Sequence, residues 1–348
     1  MTRVSVVLPL FRPGPEVAEA LLRLARTVGA DDELIVVDDG TPQPEAAEVA
    51  RLVAALLPRA SLVVRPTNEG AAAARNHAMT LATGRWVWFV DWDDDWDPSI
   101  LDVLVDRATT TGAPVVTCRA SVVDERGRLV RHIGPAHDAH LVGPETARAL
   151  LDGRLEGHLW NKLFRRDVLP PDVFPLLPTL SDLIGTAPVL ASAERVEHVG
   201  RVLYEHRLRQ GSLTSRADRD LTTLLAAGRQ VPAAAAPYLA PGADAERLGK
   251  LFRHRSAYLT AVTGLRLLGE RQERARWTRL ARRALRPGEA VSLVPASPAT
   301  AARSLALLGL GRGFGPLYRG LDRFRGRVPL PVHRPPWATG RPRRPPSP

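Results

Sequence analysis

The chain has 348 residues, 45% apolar and 24% charged, with a single cysteine, Cys118, and a formal net charge of +11. That is enough chain to bury a sizeable core in one large domain, or a domain plus an extension, without disulfides or structural metal. One cysteine rules out an internal disulfide framework and points to a reducing compartment. No run approaches the roughly 18 apolar residues of a spanning helix, so a secreted disulfide scaffold, a polytopic membrane protein and a disordered chain are all disfavoured.

Val4–Leu8 is a short apolar run ended by Pro9, too short and wrongly flanked for a secretory leader. Residues 15–28 place Val17, Leu21, Leu24 and Val28 on one helical face. Leu34–Val37 reads as a second strand, 44–57 as a helix, Ser61–Arg65 as a third strand and Gly70–Thr83 as an Ala-rich helix. Trp86–Val90 reads as a fourth strand, Pro98–Thr110 as a helix and Pro114–Arg119 as a strand. This alternation predicts an α/β fold: a Rossmann-like, mostly parallel sheet with helices on both faces and ligands outside the carboxyl ends of the strands. A hairpin follows, turning at Asp124-Glu125-Arg126-Gly127. Trp160–Leu169 and Ser181–Ala193 have a helical look, and Val196–Arg207 reads as one or two strands. Residues 217–231, 244–286 and 298–310 are helical in pattern and rich in arginine. The last 21 residues hold eight prolines and four arginines, the composition of a disordered tail.

The charge is uneven. Residues 1–130 carry a net −6 and residues 241–348 a net +16. A basic end on an acidic body suggests a polyanionic partner, such as anionic lipid, nucleic acid or a phosphorylated carrier. The plainer explanation is that arginine is the default cation here, since lysine occurs only at 162 and 250.

Asp91-Trp92-Asp93-Asp94-Asp95-Trp96-Asp97 places five carboxylates in seven residues directly after an apolar strand. Such acids repel and call for a counter-charge, for which Mn²⁺ or Mg²⁺ shared with substrate phosphates is the natural choice. An acidic loop capping the next helix is the alternative. Asp38-Asp39-Gly40 also ends a strand and can accept hydrogen bonds from a base or ribose, or simply form a turn. Gly70 can open a helix whose first amides favour anions, with Arg75 on its second turn.

These segments, in this order, resemble the family 2 glycosyltransferases, inverting enzymes of the GT-A fold that use nucleotide-sugar donors. Val4–Arg12, Glu33–Gly40, Asn68–Gly84, Phe89–Leu101 and Trp160–Arg166 carry the resemblance, which spans roughly residues 3–215. It implies a donor half at about 1–120, an acceptor half at about 121–215, a basic helical extension at 216–327 and a tail at 328–348. It implies that Pro9, Phe11, Asp39 and Arg75 line the nucleotide pocket, with Asp91 near the ribose and Asp93 and Asp94 holding the metal. Inverting transfer needs one base for the acceptor hydroxyl. The family draws it from a Glu-Asp pair opening a helix, and the corresponding residues here are Ser181-Asp182. Asp182 is therefore the expected base, although it would also suit the first turn of a helix capped by Ser181. Trp160 and Asn161 are expected at the acceptor site, Trp160 either stacking on a sugar or anchoring the core. Arg207, Arg209 and Ser212 are candidates for a segment closing over the donor phosphates.

The resemblance implies transfer of one sugar from a UDP- or other NDP-sugar to a carbohydrate or lipid-linked acceptor. The Gln-x-x-Arg-Trp signature of processive synthases is absent. The expected setting is cytoplasmic, with the basic helices in peripheral contact with anionic lipid at the inner membrane face. A nucleotidylyltransferase would need a Gly-rich, cationic loop after the first strand, and Phe11–Glu16 has one glycine and one cation. A degenerate glycosyltransferase-like module gripping a polyanion is the other alternative, supported by Ser181. Sequence-specific nucleic-acid binding lacks a motif.

Overall fold

The computed structural model describes residues 3–209, 220–267 and 270–325. Ser212 and the segment 328–348 lie outside the described residues. In chain order β1 (Val4–Leu10), α1 (Val17–Thr27), β2 (Glu33–Asp38), α2 (Glu45–Leu56), β3 (Ser61–Val64), α3 (Ala71–Leu81) and β4 (Trp86–Phe89) alternate as expected. There follow the two-residue β5 (Asp95–Trp96), α4 (Ile100–Thr111), and the hairpin of β6 (Val115–Val123) and β7 (Leu129–Ile133). Next come β8 (Ala139–Val142), α5 (Pro144–Asp152), β9 (Lys162–Arg165), α6 (Ser181–Ser192) and β10 (Arg195–Arg207). The basic region forms α7 (Thr222–Ala235), α8 (Ala243–Leu267), α9 (Arg271–Arg283), α10 (Pro287–Ser292), α11 (Pro298–Gly309) and α12 (Phe314–Arg325). Among the described residues, no helix is long and apolar enough to cross a membrane.

One sheet runs through the molecule in the order β3-β2-β1-β4-β9-β6-β10-β5, with β7 on β6 and β8 on β10. The first four strands are parallel, as the alternating pattern predicts. The second half is mixed. β9 runs antiparallel to both β4 and β6, and β10 is parallel to β6 but antiparallel to β5 and β8. β7 is antiparallel to β6, as the five-residue connection 124–128 between them requires.

Residues of β1 alternate between two cores. Val4, Val6, Leu8 and Leu10 meet Leu21 and Leu24 of α1, Val49 and Val53 of α2 and Leu101 and Leu104 of α4. Val7 meets Ala74 and Ala78 of α3 and Leu190 of α6 on the other side. Helices therefore cover both faces. Ala227 and Val231 of α7 and Leu248 of α8 join the second core. Farther along, Ala257 and Leu265 of α8 form a separate cluster with Ala281, Leu307 and Phe314.

The segment 160–169 is not helical. Lys162–Arg165 is a central strand between β4 and β6, with Lys162, Leu163 and Phe164 buried. Its sequence, Lys-Leu-Phe-Arg, has neither alternation nor the continuous apolar run by which a strand buried on both faces is read. The sequence reading also passed over β8 and α5, although Gly143 at φ +55 and Pro144 at the first helical position are a start signal.

Candidate functional site

The parallel order β2-β1-β4 sets the carboxyl ends of three strands side by side. Phe11 and Arg12 leave β1, Asp38-Asp39-Gly40 leaves β2 and Asp91 follows β4. Backbone bonds from Asp39 N to Leu10 O (2.8 Å) and from Val90 N to Val7 O (3.0 Å) fix these exits relative to one another. Pro9 is buried within β1 opposite Val37, whereas Phe11 is 40% exposed with the Arg12 guanidinium 5.5 Å from its ring centre.

Asp39 is 2% exposed and already engaged. Its Oδ2 accepts from Gly70 N (2.6 Å) and Glu69 N (3.2 Å), and its Oδ1 accepts from Arg65. Arg65 also pairs with Glu69 at 2.7 Å. One carboxylate thus ties the end of β2 to the amino end of α3, and Oδ1 retains an acceptor position. The turn needs glycine at position 40, where φ is +73 and an added Cβ would lie 2.5 Å from the Thr67 carbonyl carbon. Asp38 is buried, with Oδ1 accepting from Thr41 N (3.0 Å) and Oδ2 without a partner.

Arg75 reaches Asp91, Nη2 donating to Oδ1 at 2.7 Å, while its buried Nε has no partner. The next residue, Asn76, holds another segment. Its Nδ2 donates to Phe174 O (2.7 Å) and its Oδ1 accepts from Phe174 N (3.0 Å). That segment packs on α6 so closely that a Cβ at Gly185 would sit 2.2 Å from Val173 O.

The five acids do not act alike. Asp95 pairs with Arg23 (2.8 Å) and Arg207 (3.1 Å), and Asp97 caps the turn to α4 by accepting from Ser99 N (2.9 Å). Asp94, expected to hold metal, is turned into the protein. Its carboxylate accepts from Tyr204 Oη (2.9 Å), His206 Nδ1 (3.0 Å) and Arg207 N (2.9 Å), and its side chain is fully buried. Three donors surround it and its side chain has no exposed surface, so it faces the protein interior rather than solvent. Burial works against the His206 imidazolium, but Asp94, then Asp91 and Asp93, outweigh it and raise its pKa to about 9. Asp93 accepts no side-chain hydrogen bond from any described residue. Burial, then the charges of Asp94 and Asp91, push its carboxyl up to about 7, against the pull of Arg209. Arg209 donates from Nη2 to Asp93 O (3.2 Å) and lies 5.3 Å over the Trp92 ring.

Trp160 and Asn161 are not exposed to a ligand. The Trp160 ring is 5% exposed and stacks with His158 (4.8 Å), Tyr204 (4.7 Å) and His206 (5.3 Å). Of the two roles open to it, the structure selects the core anchor. Asn161 is 1% exposed, donating to Cys118 O (3.0 Å) and accepting from Lys162 Nζ (2.9 Å). Burial lowers the Lys162 ammonium to about 8, with Glu156, Cys118 and Asp182 opposing.

Asp182 is half-buried in the first turn of α6, and no hydrogen bond or ion pair engages its carboxylate among the described residues. Ser181 does not cap this helix. The cap position is Leu180, at φ +61, and Ser181 is the first helical residue. Sequence reasoning missed Arg65, Tyr204 and the clamp of β10 on Asp94. The alternation of Tyr204 and His206 on one face of a strand was the available signal.

Residues 5–170 match the family model described as glycosyl transferase family 2. The chain is 27% identical over 219 residues to the uncharacterised glycosyltransferase YibD of Escherichia coli, covering 61% of this chain and 63% of that protein. Its matches span 62–64% of the length of the first three curated relatives. S. aureus TarS 1–349, solved in complex with UDP-GlcNAc, superposes with a TM-score of 0.70 at 20% identity, covering 92% of each chain. The Pyrobaculum calidifontis mannosyltransferase PcManGT, in complex with GDP-Man and Mn²⁺, superposes with a TM-score of 0.51 at 17% identity, covering 94% of this chain and 88% of that one. The fold is that of the GT-A glycosyltransferases.

Proposed function

We propose, from the match of residues 5–170 to the glycosyl transferase family 2 model, that the chain is an inverting glycosyltransferase. It moves a single sugar from a nucleotide-diphosphate sugar, UDP-sugar favoured, to a glycan or lipid-linked acceptor. The observation that carries this reading is Asp93, a carboxylate without a side-chain hydrogen bond from any described residue, beside the carboxyl ends of β1, β2 and β4. Ligand sites of open α/β sheets lie at such ends. The TarS complex with UDP-GlcNAc supports a UDP-sugar on the same fold.

Phe11 packs beside the base, Asp39 offers its remaining acceptor position to it, and the Arg75–Asp91 pair borders the ribose and diphosphate. Asp182 takes the proton from the acceptor hydroxyl as its oxygen attacks the anomeric carbon opposite the leaving diphosphate. Its carboxylate is free for this because no described residue engages it.

The residues present fit a divalent cation completed by substrate rather than caged by protein. Among the described residues no group of three or more His, Cys, Asp or Glu is arranged to hold a metal. Asp93 alone offers a free carboxylate in the acidic loop, and Mn²⁺ or Mg²⁺ commonly binds through one or two carboxylates plus phosphate oxygens. When bound, the cation neutralises charge on the departing diphosphate. Asp93 holds it and Asp94 does not.

The division into a donor half at 1–120, an acceptor half at 121–215 and a basic extension at 216–327 belongs to this reading. So do a cytoplasmic setting and peripheral contact with anionic membrane. A degenerate binding module is the second reading, favoured by Ser181 where the family carries Glu. Incubating the protein with a panel of UDP-, GDP-, CDP- and dTDP-sugars and Mn²⁺ separates them. Release of one nucleoside diphosphate, abolished by Asp182→Asn, supports the enzyme. Nucleotide binding without turnover of any donor supports the module.

A further inference from the structure

Five arginines converge on one cavity in the C-terminal helices. The end of α8, α9, the turn at Gly311 and α12 enclose a cavity of about 740 Å³. Arg271, Arg274, Arg279, Arg282 and Arg319 line it, and no Asp or Glu does. The spacing is set in the sequence. Arg271, Arg274, Thr278 and Arg282 fall three, four and four residues apart, which is one stripe of α9. The adjoining face of α9 carries the buried Trp277 and Ala281, which dock the helix and fix the direction of that stripe. Trp277 in turn sits against Gly264 of α8, where an added Cβ would lie 3.0 Å from the Trp277 Cβ.

Like charges three and four apart on a helix repel. Here those charges meet in a concavity whose described lining residues include no Asp or Glu. Arg271, Arg279 and Arg319 form no hydrogen bond or ion pair with any described residue. Arg282 is held in place by Nη2 donating to Leu308 O (2.8 Å), while its Nε is buried without a partner. A positioned guanidinium beside three that no described residue engages leaves N–H donors open to an anion.

We propose that this cavity binds a phosphorylated ligand through a diphosphate or phosphodiester group. Guanidinium forks match phosphate oxygens bidentately, which a scattered positive surface does not. The volume falls within the roughly 300–1,000 Å³ of small-molecule sites, more than a phosphate alone fills. Leu265 and Pro316 on the same walls give apolar surface to the group the phosphate carries. The site is separate from the acidic loop and does not depend on the proposed transfer reaction.

The test uses the full chain in about 150 mM salt with chelator present, where phosphate contacts are still measurable. Inorganic pyrophosphate is titrated by calorimetry, and phosphatidylglycerol vesicles are co-sedimented against phosphatidylcholine vesicles. Two variants are compared, the triple Arg271→Gln/Arg279→Gln/Arg319→Gln and Thr278→Glu, which puts a carboxylate into the cavity. Unchanged thermal midpoints establish that both variants fold, and UDP binding with Mn²⁺ reports the other site separately. Pyrophosphate binding weakened at least about tenfold in both variants supports the proposal with a soluble ligand. Binding to phosphatidylglycerol vesicles alone, weakened to the same extent, supports it with a lipid headgroup as the source. Neither probe binding, or equal binding by wild type and both variants, overturns it.

Discussion

The carboxylate of Asp94 meets the imidazole of His206 at 3.0 Å, and the same carboxylate accepts from Tyr204 at 2.9 Å. Asp94 therefore fastens the acidic loop to β10, and the Trp160 ring stacked on both Tyr204 and His206 backs that clamp. With Asp94 and Asp95 held inward, Asp93 is left as the acid that no described side chain hydrogen-bonds. Neighbouring residues of one acidic run thus have opposite roles, one structural and one open to ligand.

His206 carries a pH signature. Its folded pKa of about 9 lies above the ordinary imidazole value, so its charge stabilises the fold fully below about pH 6.5 and is lost as pH rises through 9. The shift corresponds to about 3 kcal/mol. Thermal midpoints of the wild type should fall between pH 6.5 and 9.5, and His206→Gln should be less stable at pH 6.5 with a flatter profile across that window. Parallel profiles would remove the ion pair from the account.

Asp93 also makes stability fall with rising pH, but because its charge is unfavourable in the fold rather than favourable. Its carboxyl is raised to about 7, so ionising it in the folded state costs stability as pH rises from about 4 through 7. Asp93→Asn should be more stable than wild type at pH 8, on the order of 2 kcal/mol once solvent screening is allowed for. A stabilising change that abolishes ligand binding is the expected trade at a functional acid. Equal melting of the two proteins at pH 8 would contradict it.

Asn76→Ala should cost about 1–3 kcal/mol, because both backbone groups of Phe174 lose their partner. Since that segment packs against Gly185 of α6, turnover should suffer along with stability. Denaturant midpoints and kcat measured on the same preparation check both.

Asp182→Asn should leave the denaturant midpoint within about 0.5 kcal/mol of wild type, as no described residue engages the carboxylate. If Asp182 is the base, kcat should fall by about 10²–10⁴. A large loss of stability with modest loss of rate would make it a structural residue.

Trp160→Ala should destabilise by about 3–5 kcal/mol, the cost of removing a large buried ring. An acceptor-binding Trp would instead raise the acceptor KM with little effect on melting.

The parallel half of the fold was legible because short apolar runs alternate there with helix-period segments and are closely followed by glycine, proline or carboxylate. The hairpin after Val123 was legible for the same reason. Lys162–Arg165 was not, because it opens and closes on cations and lacks the continuous apolar run that marks β1, β2 and β4. The site was legible as a set of positions but not as a set of directions. Nothing in five acids within seven residues says that Asp94 turns inward to Tyr204 and His206, since those partners arrive from a strand more than a hundred residues later. The burial of Trp160 and Asn161 was not legible for a related reason: whether an aromatic or an amide lies in a wall or in a pocket depends on what covers it.

The central claim is a donor site organised around Asp93. Calorimetric titration with UDP, GDP, CDP and dTDP, with and without Mn²⁺, tests it on wild type and Asp93→Ala. The account predicts metal-dependent binding of one nucleotide, UDP favoured, lost in the variant while Asp182→Asn binds normally. Folded wild-type protein that binds none of the four, or an Asp93→Ala variant that binds as tightly as wild type, would contradict it.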